Sequence, residues 1–180
     1  MMDGETQGRE EGILIEAESF DDLGGWKLDT QFIHSMGSPY LLAHGLGKPV
    51  APATTRVTLP SAGRWFVWAR TKNWVPGPWE APGRFKLAID THELDHVFGA
   101  GEGMWNWECG GAVDLVFTEF EISLIDLTGF DGRCDAICFT TLCPSASGHS
   151  GIRSGTACSY GKASRGLCQT GSRDERGRSP

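Results

Sequence analysis

Three groups of residues in this 180-residue chain have types and spacings that chemistry can use. His92-Glu93-Leu94-Asp95-His96 has the H-E-x-x-H spacing of zinc peptidases. In that chemistry two histidines on one helical face hold zinc and the glutamate acts as general base. Here the pentapeptide follows an alternating segment, 84–89, and an Asp90-Thr91 turn, and Gly99 closes it. That leaves room for about one or two helical turns. Turn plus strand fits better, and on a strand positions i and i+4 project the same way but too far apart to share one metal. A zinc hydrolase using His92, Glu93 and His96 is the enzyme alternative. The chain has no Gly-x-Ser-x-Gly, no P-loop and no Gly-x-Gly-x-x-Gly after a strand.

The second group is Glu16 and Glu18 in the run ILIEAESF, 13–20. Read as a strand, it puts Ile13, Ile15 and Ala17 on one face and Leu14, Glu16 and Glu18 on the other. The two carboxylates then stand about 7 Å apart. Like charges that close disfavour each other unless a cation or donors lie between them. A solvated face and a hard-cation site both fit, the second because calcium takes several carboxylate and carbonyl oxygens.

The third group is aromatic. Trp74 and Trp79 lie in NWVPGPWEAPG, 73–83, and Trp105 and Trp107 follow the glycine-rich stretch 99–103. Indoles on Gly/Pro-rich loops either cover a small local core or wait for a flat partner. A pyranose fits the second role: its C–H face stacks on the indole while polar groups bond its hydroxyls. Asn73, Asn106 and Glu108 are placed in sequence for that task. Trp65 and Trp68, inside the apolar run 64–70, read as core.

The elements that must position these groups are strands. Segments 54–59, 64–70, 84–89, 94–98, 112–117, 119–126 and 134–140 alternate or are apolar throughout, and 25 glycines and 9 prolines punctuate them at short intervals. Segment 64–70 is apolar on both faces and reads as a central strand. No segment sustains a 3.6-residue apolar period. Nine or ten strands at this spacing predict an all-β sandwich over 13–141.

Residues 1–12 are charged, lack an apolar run and read as a mobile leader without a secretory signal. Residues 142–180 differ in kind: 15 of these 39 are Gly or Ser, and none is Phe, Trp or Val. They carry six basic residues against two acidic ones. Such composition predicts a disordered, dispensable tail; a natural linker and an out-of-frame read both fit it. The net charge of −7 makes nucleic acid and anionic membranes poor partners. No apolar run approaches the roughly 18 residues of a membrane span. The six cysteines match no recurring zinc pattern, and Cys134 and Cys138 would lie roughly 13 Å apart on one strand, so buried thiols are expected.

Three features together carry a resemblance: the opening Ile15-Glu16-Ala17-Glu18, the turn LPSAGRW at 59–65, and the closing Arg133-Cys134-Asp135-Ala136-Ile137. They look like the jelly-roll carbohydrate-binding modules of families six and thirty-five, which share the galactose-binding-domain-like sandwich. The resemblance implies a structural calcium held by Glu16, Glu18 and Asp135 with backbone carbonyls. A second likeness covers roughly 12–141. The runs IEAESFDDLGGW, MGSPYLLAHGLGKPV and LTGFDGRCDAICFTT resemble the non-catalytic N-terminal region of bacterial FAD-dependent oxidoreductases. That likeness implies a flavin domain downstream, and none is legible in this chain, so FAD is not expected here. The function these readings imply is a monomeric, non-catalytic accessory module that binds glycan or docks beside a catalytic domain. A purely structural domain is the third alternative.

Overall fold

Strict alternation of apolar and polar residues builds a sandwich when two sheets turn their apolar faces together. The computed structural model describes residues 12–75, 77–78 and 83–141. Ten strands run through them in chain order: β1 (Gly12–Glu16), β2 (Lys27–Asp29), β3 (Tyr40–His44), β4 (Ala53–Thr58), β5 (Gly63–Thr71), β6 (Phe85–Ile89), β7 (His92–Glu93), β8 (Asn106–Leu115), β9 (Glu119–Asp126) and β10 (Phe130–Thr140). One sheet has the order β2-β3-β10-β5-β8, and β1 also pairs with β10. The other has the order β4-β9-β6-β7. Every ladder is antiparallel.

The core fills the space between the sheets. Trp65, Val67 and Ala69 of β5 meet Phe120, Ile122 and Leu124 of β9 within one buried cluster, joined by Ile137 and Phe139 of β10. Trp26 is fully buried and meets Phe85 edge-on with ring centroids 5.6 Å apart. The all-β expectation holds, and the segment read as central, 64–70, does lie between β10 and β8.

Several boundaries differ from expectation, each for a local reason. The strand read over 13–20 stops at Glu16, and Ala17–Ser19 forms a 3-10 turn. Ser19 Oγ donates to the Glu16 carbonyl at 2.7 Å and Phe20 N donates to Ala17 O, bonds that compete with a ladder. Glu18 is therefore not the next residue on Glu16's face of a strand. The strand read at 94–98 sits earlier, at His92–Glu93, because Asp90 takes a left-handed φ of 50° and closes a tight hairpin. Leu94 and Phe98 drop into the core instead.

The strand read at 112–117 begins at Asn106 and ends at Leu115, leaving Val116 and Phe117 exposed on the turn. It absorbs one extra residue, since Val67 pairs Gly111 while Trp68 pairs Cys109. Gly110 is the residue left over, and a Cβ there would stand 2.6 Å from the Phe98 ring.

Trp68 is a further correction. It alternates away from Trp65 and is half-buried on the outer face of its sheet. There the register sets Leu14, Cys138, Trp68 and Cys109 side by side across β1, β10, β5 and β8. Cys109, Cys134 and Cys138 form no disulfide with one another, and the latter two are buried. The 142–180 tail and the leader through residue 11 lie outside the described residues.

Candidate functional site

The loop after β5 and the loop before β8 bring two of the four singled-out indoles together around one ring, Phe32. Phe32 immediately precedes a single helical turn, Ile33–Met36, which Gly37 ends at a φ of 87°. Trp74 meets the Phe32 ring edge-on at 5.4 Å between centroids, and Trp105 does so at 6.2 Å. Tyr40 of β3 stacks on Phe32 at 6.0 Å and meets Trp105 at 4.9 Å. Both tryptophans are half-buried, and Trp105 Nε1 is shielded from water without a partner. Trp79 lies outside the described residues.

Two cations share this cluster. Arg133 of β10 is 2% exposed; its guanidinium carbon lies 5.4 Å from the Trp74 ring centroid and 5.7 Å from that of Phe32. Its Nη1 donates to the Asp131 carbonyl at 2.9 Å and to the Trp74 carbonyl, pinning the loop to the sheet. Lys72 places Nζ 4.1 Å over the Phe32 centroid. Burial, then the Arg133 charge, hold the Lys72 ammonium below the ordinary lysine range.

Beneath them Tyr40 donates its hydroxyl to Asp29 Oδ2 at 2.5 Å. Thr30 N and Gln31 N donate to Asp29 Oδ1. Burial alone would raise the Asp29 carboxyl, but these hydrogen bonds and the Arg133 charge bring it below its usual value. Burial and the bond to Asp29 raise the Tyr40 phenol.

Asn73, Asn106 and Glu108 hold the loop that presents Trp105. Asn73 donates its side-chain amide to Gly101 O at 3.0 Å and its backbone N–H to Glu102 O at 3.1 Å. Glu108 accepts from Gly99 N and Gly101 N, both at 3.2 Å, and His96 Nε2 lies 3.5 Å from its Oε2. With its amide turned to face them, Asn106 donates to Thr71 O at 3.0 Å and Met104 O at 3.3 Å. These groups are committed to backbone, which gives an otherwise unconstrained glycine-rich stretch one conformation.

Trp107 sits in β8 opposite Arg70. It lines a shallow, open recess with Leu14, Glu16, Ser38, Arg70 and Asp135. Asp135 receives Arg70 Nη1 at 3.0 Å and Ser38 Oγ at 3.2 Å. Burial is the main cause raising the Glu16, Glu18 and Asp135 carboxyls. The Asp135 charge pushes both glutamates further up, while Arg70 opposes the rise at Glu16 and Asp135. Glu18 Oε2 is shielded from water and has no partner. Among the described residues no three His, Cys, Asp or Glu side chains converge tightly enough to form a ready ligand set.

The H-E-x-x-H residues are not helical. His92 is exposed at the start of β7, paired with Ile89, while His96 packs edge-on to Phe98 at 4.6 Å and faces Glu108. Because His92 is exposed and makes no ion pair among the described residues, His92→Ala is expected to change stability by no more than about 0.5 kcal/mol. Urea unfolding measures this, and a zinc equivalent lost with the substitution would contradict it.

No family model matches the sequence, and no curated protein matches it. Solved structures do. The chain is similar to a GH26-CBM35 β-(1,4)-mannanase from Podospora anserina, with a TM-score of 0.57 and 17% identity over 77% of this chain and 29% of that one. It is similar to a family 35 carbohydrate-binding module from Clostridium thermocellum, at 0.54 and 16%, over 71% and 96%. It is also similar to the C-terminal CBM6 of LamC, a laminarinase from Zobellia galactanivorans, at 0.53 and 16%, over 72% and 99%. The likeness is one of fold: this chain is a jelly-roll β-sandwich.

Proposed function

We propose that this jelly roll is a non-catalytic accessory module that binds glycan on the Trp74–Trp105 cluster. The observation that carries the reading is that two loops 31 positions apart in sequence present half-exposed indoles around one ring, Phe32. An isolated structural domain has no need to leave two tryptophans there partly wet. The similar folds of a CBM6 and a family 35 carbohydrate-binding module support the same reading by analogy. The test is titration with soluble β-glucans, mannans and galactans, comparing the protein with its Trp74→Ala and Trp105→Ala variants. Absence of binding to any of them sinks it.

One observation favours docking beside a catalytic domain as a second reading. The outer face of the six-stranded sheet carries Leu14, Phe66, Trp68, Trp107 and Cys109 half-buried, where a free antiparallel sheet would normally be polar. If a flavin or other catalytic domain covers that face, hydrogen exchange in β5 will slow when the two are joined.

We extend this proposal to a structural calcium at Glu16, Glu18 and Asp135, although these side chains do not converge into a ready ligand set. A cation there would neutralise three crowded carboxyls and give Glu18 Oε2 a partner. Calcium is expected to raise the thermal midpoint by mass action, corresponding to about 2.7 kcal/mol at a hundredfold excess over Kd. Glu18→Gln should remove most of that gain. Identical melting with calcium and with chelator would assign the cluster to Arg70 alone.

A further inference from the structure

We propose that His96 is a positioning residue for Trp105, acting through Glu108 so that a proton on its imidazole locks the loop that presents the indole. This rests on the glycan reading and gives the same site a dependence on pH. The starting point is the loop. Residues 99–103 include three glycines, and such a stretch has much backbone entropy to lose when it is ordered. One side chain ties it down: Glu108 Oε2 accepts from Gly99 N and Oε1 from Gly101 N, both at 3.2 Å. A Cβ at Gly101 would stand 2.5 Å from Oε1, so the carboxylate lies directly against the backbone it holds. Trp105 follows four positions after Gly101.

Both of those bonds are at the long end of the N–H···O range, which leaves the clamp room to tighten. His96 stands where the tightening would act. Its Nε2 lies 3.5 Å from Glu108 Oε2, shielded from water and without a hydrogen-bond partner. Phe98 braces the ring edge-on, with centroids 4.6 Å apart. The His96 side chain is 39% exposed, so protons reach the ring, whereas that of Glu108 is 10% exposed and weakly screened. Whichever tautomer holds at high pH, the imidazolium sets an N–H and a positive charge against Oε2. That oxygen has a second lone pair for it beside Gly99 N, and an idle contact becomes a charge-assisted hydrogen bond.

The other charges around this ring are directed elsewhere. Asp95 beside it and Glu102 on the loop are exposed, and Glu93 of β7 is paired with Lys86 at 3.2 Å. Among the described residues Glu108 is the one charged group within ion-pair distance of His96. Two further histidines flank the aromatic cluster and must be separated from it by experiment. His44 Nδ1 lies 2.6 Å from Asp131 Oδ1, and His34 sits in the helical turn after Phe32. A loop already locked gives up less freedom when a sugar arrives, so the charged form of His96 is the one that binds more tightly.

The experiment combines nuclear magnetic resonance with titration of a neutral mannan or β-glucan, from about pH 8 to about pH 5.5, across the ordinary histidine range. The amide signals of Gly99 and Gly101 and the indole N–H of Trp105 are expected to shift with the same midpoint as the His96 ring. The glycan is expected to bind about three- to fivefold more tightly at the lower pH. His96→Gln should flatten every response. His96→Lys, a cation at both ends of the range, should hold the tighter affinity throughout and keeps the test open should the uncharged variant fold poorly. His44→Gln and His34→Gln should respond as the wild type does. Glycine and indole signals that ignore pH, or responses that persist in His96→Gln, overturn the positioning role while the glycan reading stands. Equal affinity at both ends of the range in the wild type overturns it as well. If neither glycan binds at any pH, the glycan reading fails, and a Trp105 indole that still follows His96 upholds the positioning role by itself.

Discussion

Asp126→Ala is expected to lower the stability of the domain by about 3–5 kcal/mol. Asp126 ends β9 and is 4% exposed. Its Oδ2 accepts from Val50 N at 2.9 Å and Gly129 N at 3.0 Å, and its Oδ1 from Thr128 N and Gly129 N, both at 3.1 Å. One carboxylate thus satisfies three backbone N–H groups on two separate loops. Alanine would strand all three, and each orphaned donor costs about 1–3 kcal/mol when water cannot replace the acceptor. Gly129 fixes the geometry from the other side. It has a φ of 69°, its carbonyl accepts from Gly45 N, and a Cβ there would stand 2.2 Å from Lys48 O. Asp126→Asn keeps the shape but turns one acceptor into a donor, and should cost about 1–2 kcal/mol. Urea denaturation of the three proteins measures both, and a loss under 1 kcal/mol for Asp126→Ala would mean that water enters and caps the loops.

What the sequence made legible follows from where side-chain pattern alone decides the outcome. Trp65, Val67 and Ala69, and Phe120, Ile122 and Leu124, alternate because a sheet with one buried face admits no other register. The paired loops bearing Trp74 and Trp105 were visible as indoles among glycine and proline. Directions of polar groups were not. Asn73, Asn106 and Glu108 look like sugar-reading residues beside tryptophans, but their donors and acceptors close on Gly99, Gly101, Glu102, Thr71 and Met104. A chain does not announce which of its own N–H groups will lack partners.

The residues that assemble the site, Phe32, Tyr40 and Arg133, went unrecognised for a different reason. Nothing local marks Phe32 in TQFIHSM, because its role comes from two loops more than forty positions away. Arg133 did carry a signal. An arginine and an aspartate flanking Cys134 in an otherwise apolar strand must be buried, and a buried charge must be paired or bonded. Arg133 bonds two carbonyls and Asp135 pairs with Arg70, as that rule requires. The carboxylate pair at 16 and 18 shows the opposite limit. Alternation suggested a shared strand face, whereas one seryl hydroxyl bonded to Glu16 O ends the strand between them.

Trp105→Ala is expected to weaken glycan binding about five- to thirtyfold, to the point of loss in an ordinary titration. Stacking on one indole supplies about 1–2 kcal/mol, and a single shallow site has a Kd in the millimolar to high micromolar range. Removing even one platform therefore pushes affinity past detection. Trp105 does two things at once: its indole meets Tyr40 and Phe32 with Nε1 shielded from water, and the residue as a whole stays half-buried. Its loss removes the ligand's surface and loosens the wall behind it. Trp74→Ala is the cleaner probe of contact. Arg133 is held by the Trp74 backbone carbonyl, which alanine keeps, so the loop anchor survives while the ring is lost. Its expected effect is of similar size on binding and smaller on stability. Phe117→Ser, on the exposed turn at the far end of β8, should leave binding unchanged and serves as the control. Affinity electrophoresis and titration calorimetry read all three variants against the same glycan. If Trp105→Ala and Phe117→Ser bind alike, the indole cluster is only a cap on the end of the sandwich, and the outer sheet face around Trp68 becomes the working surface.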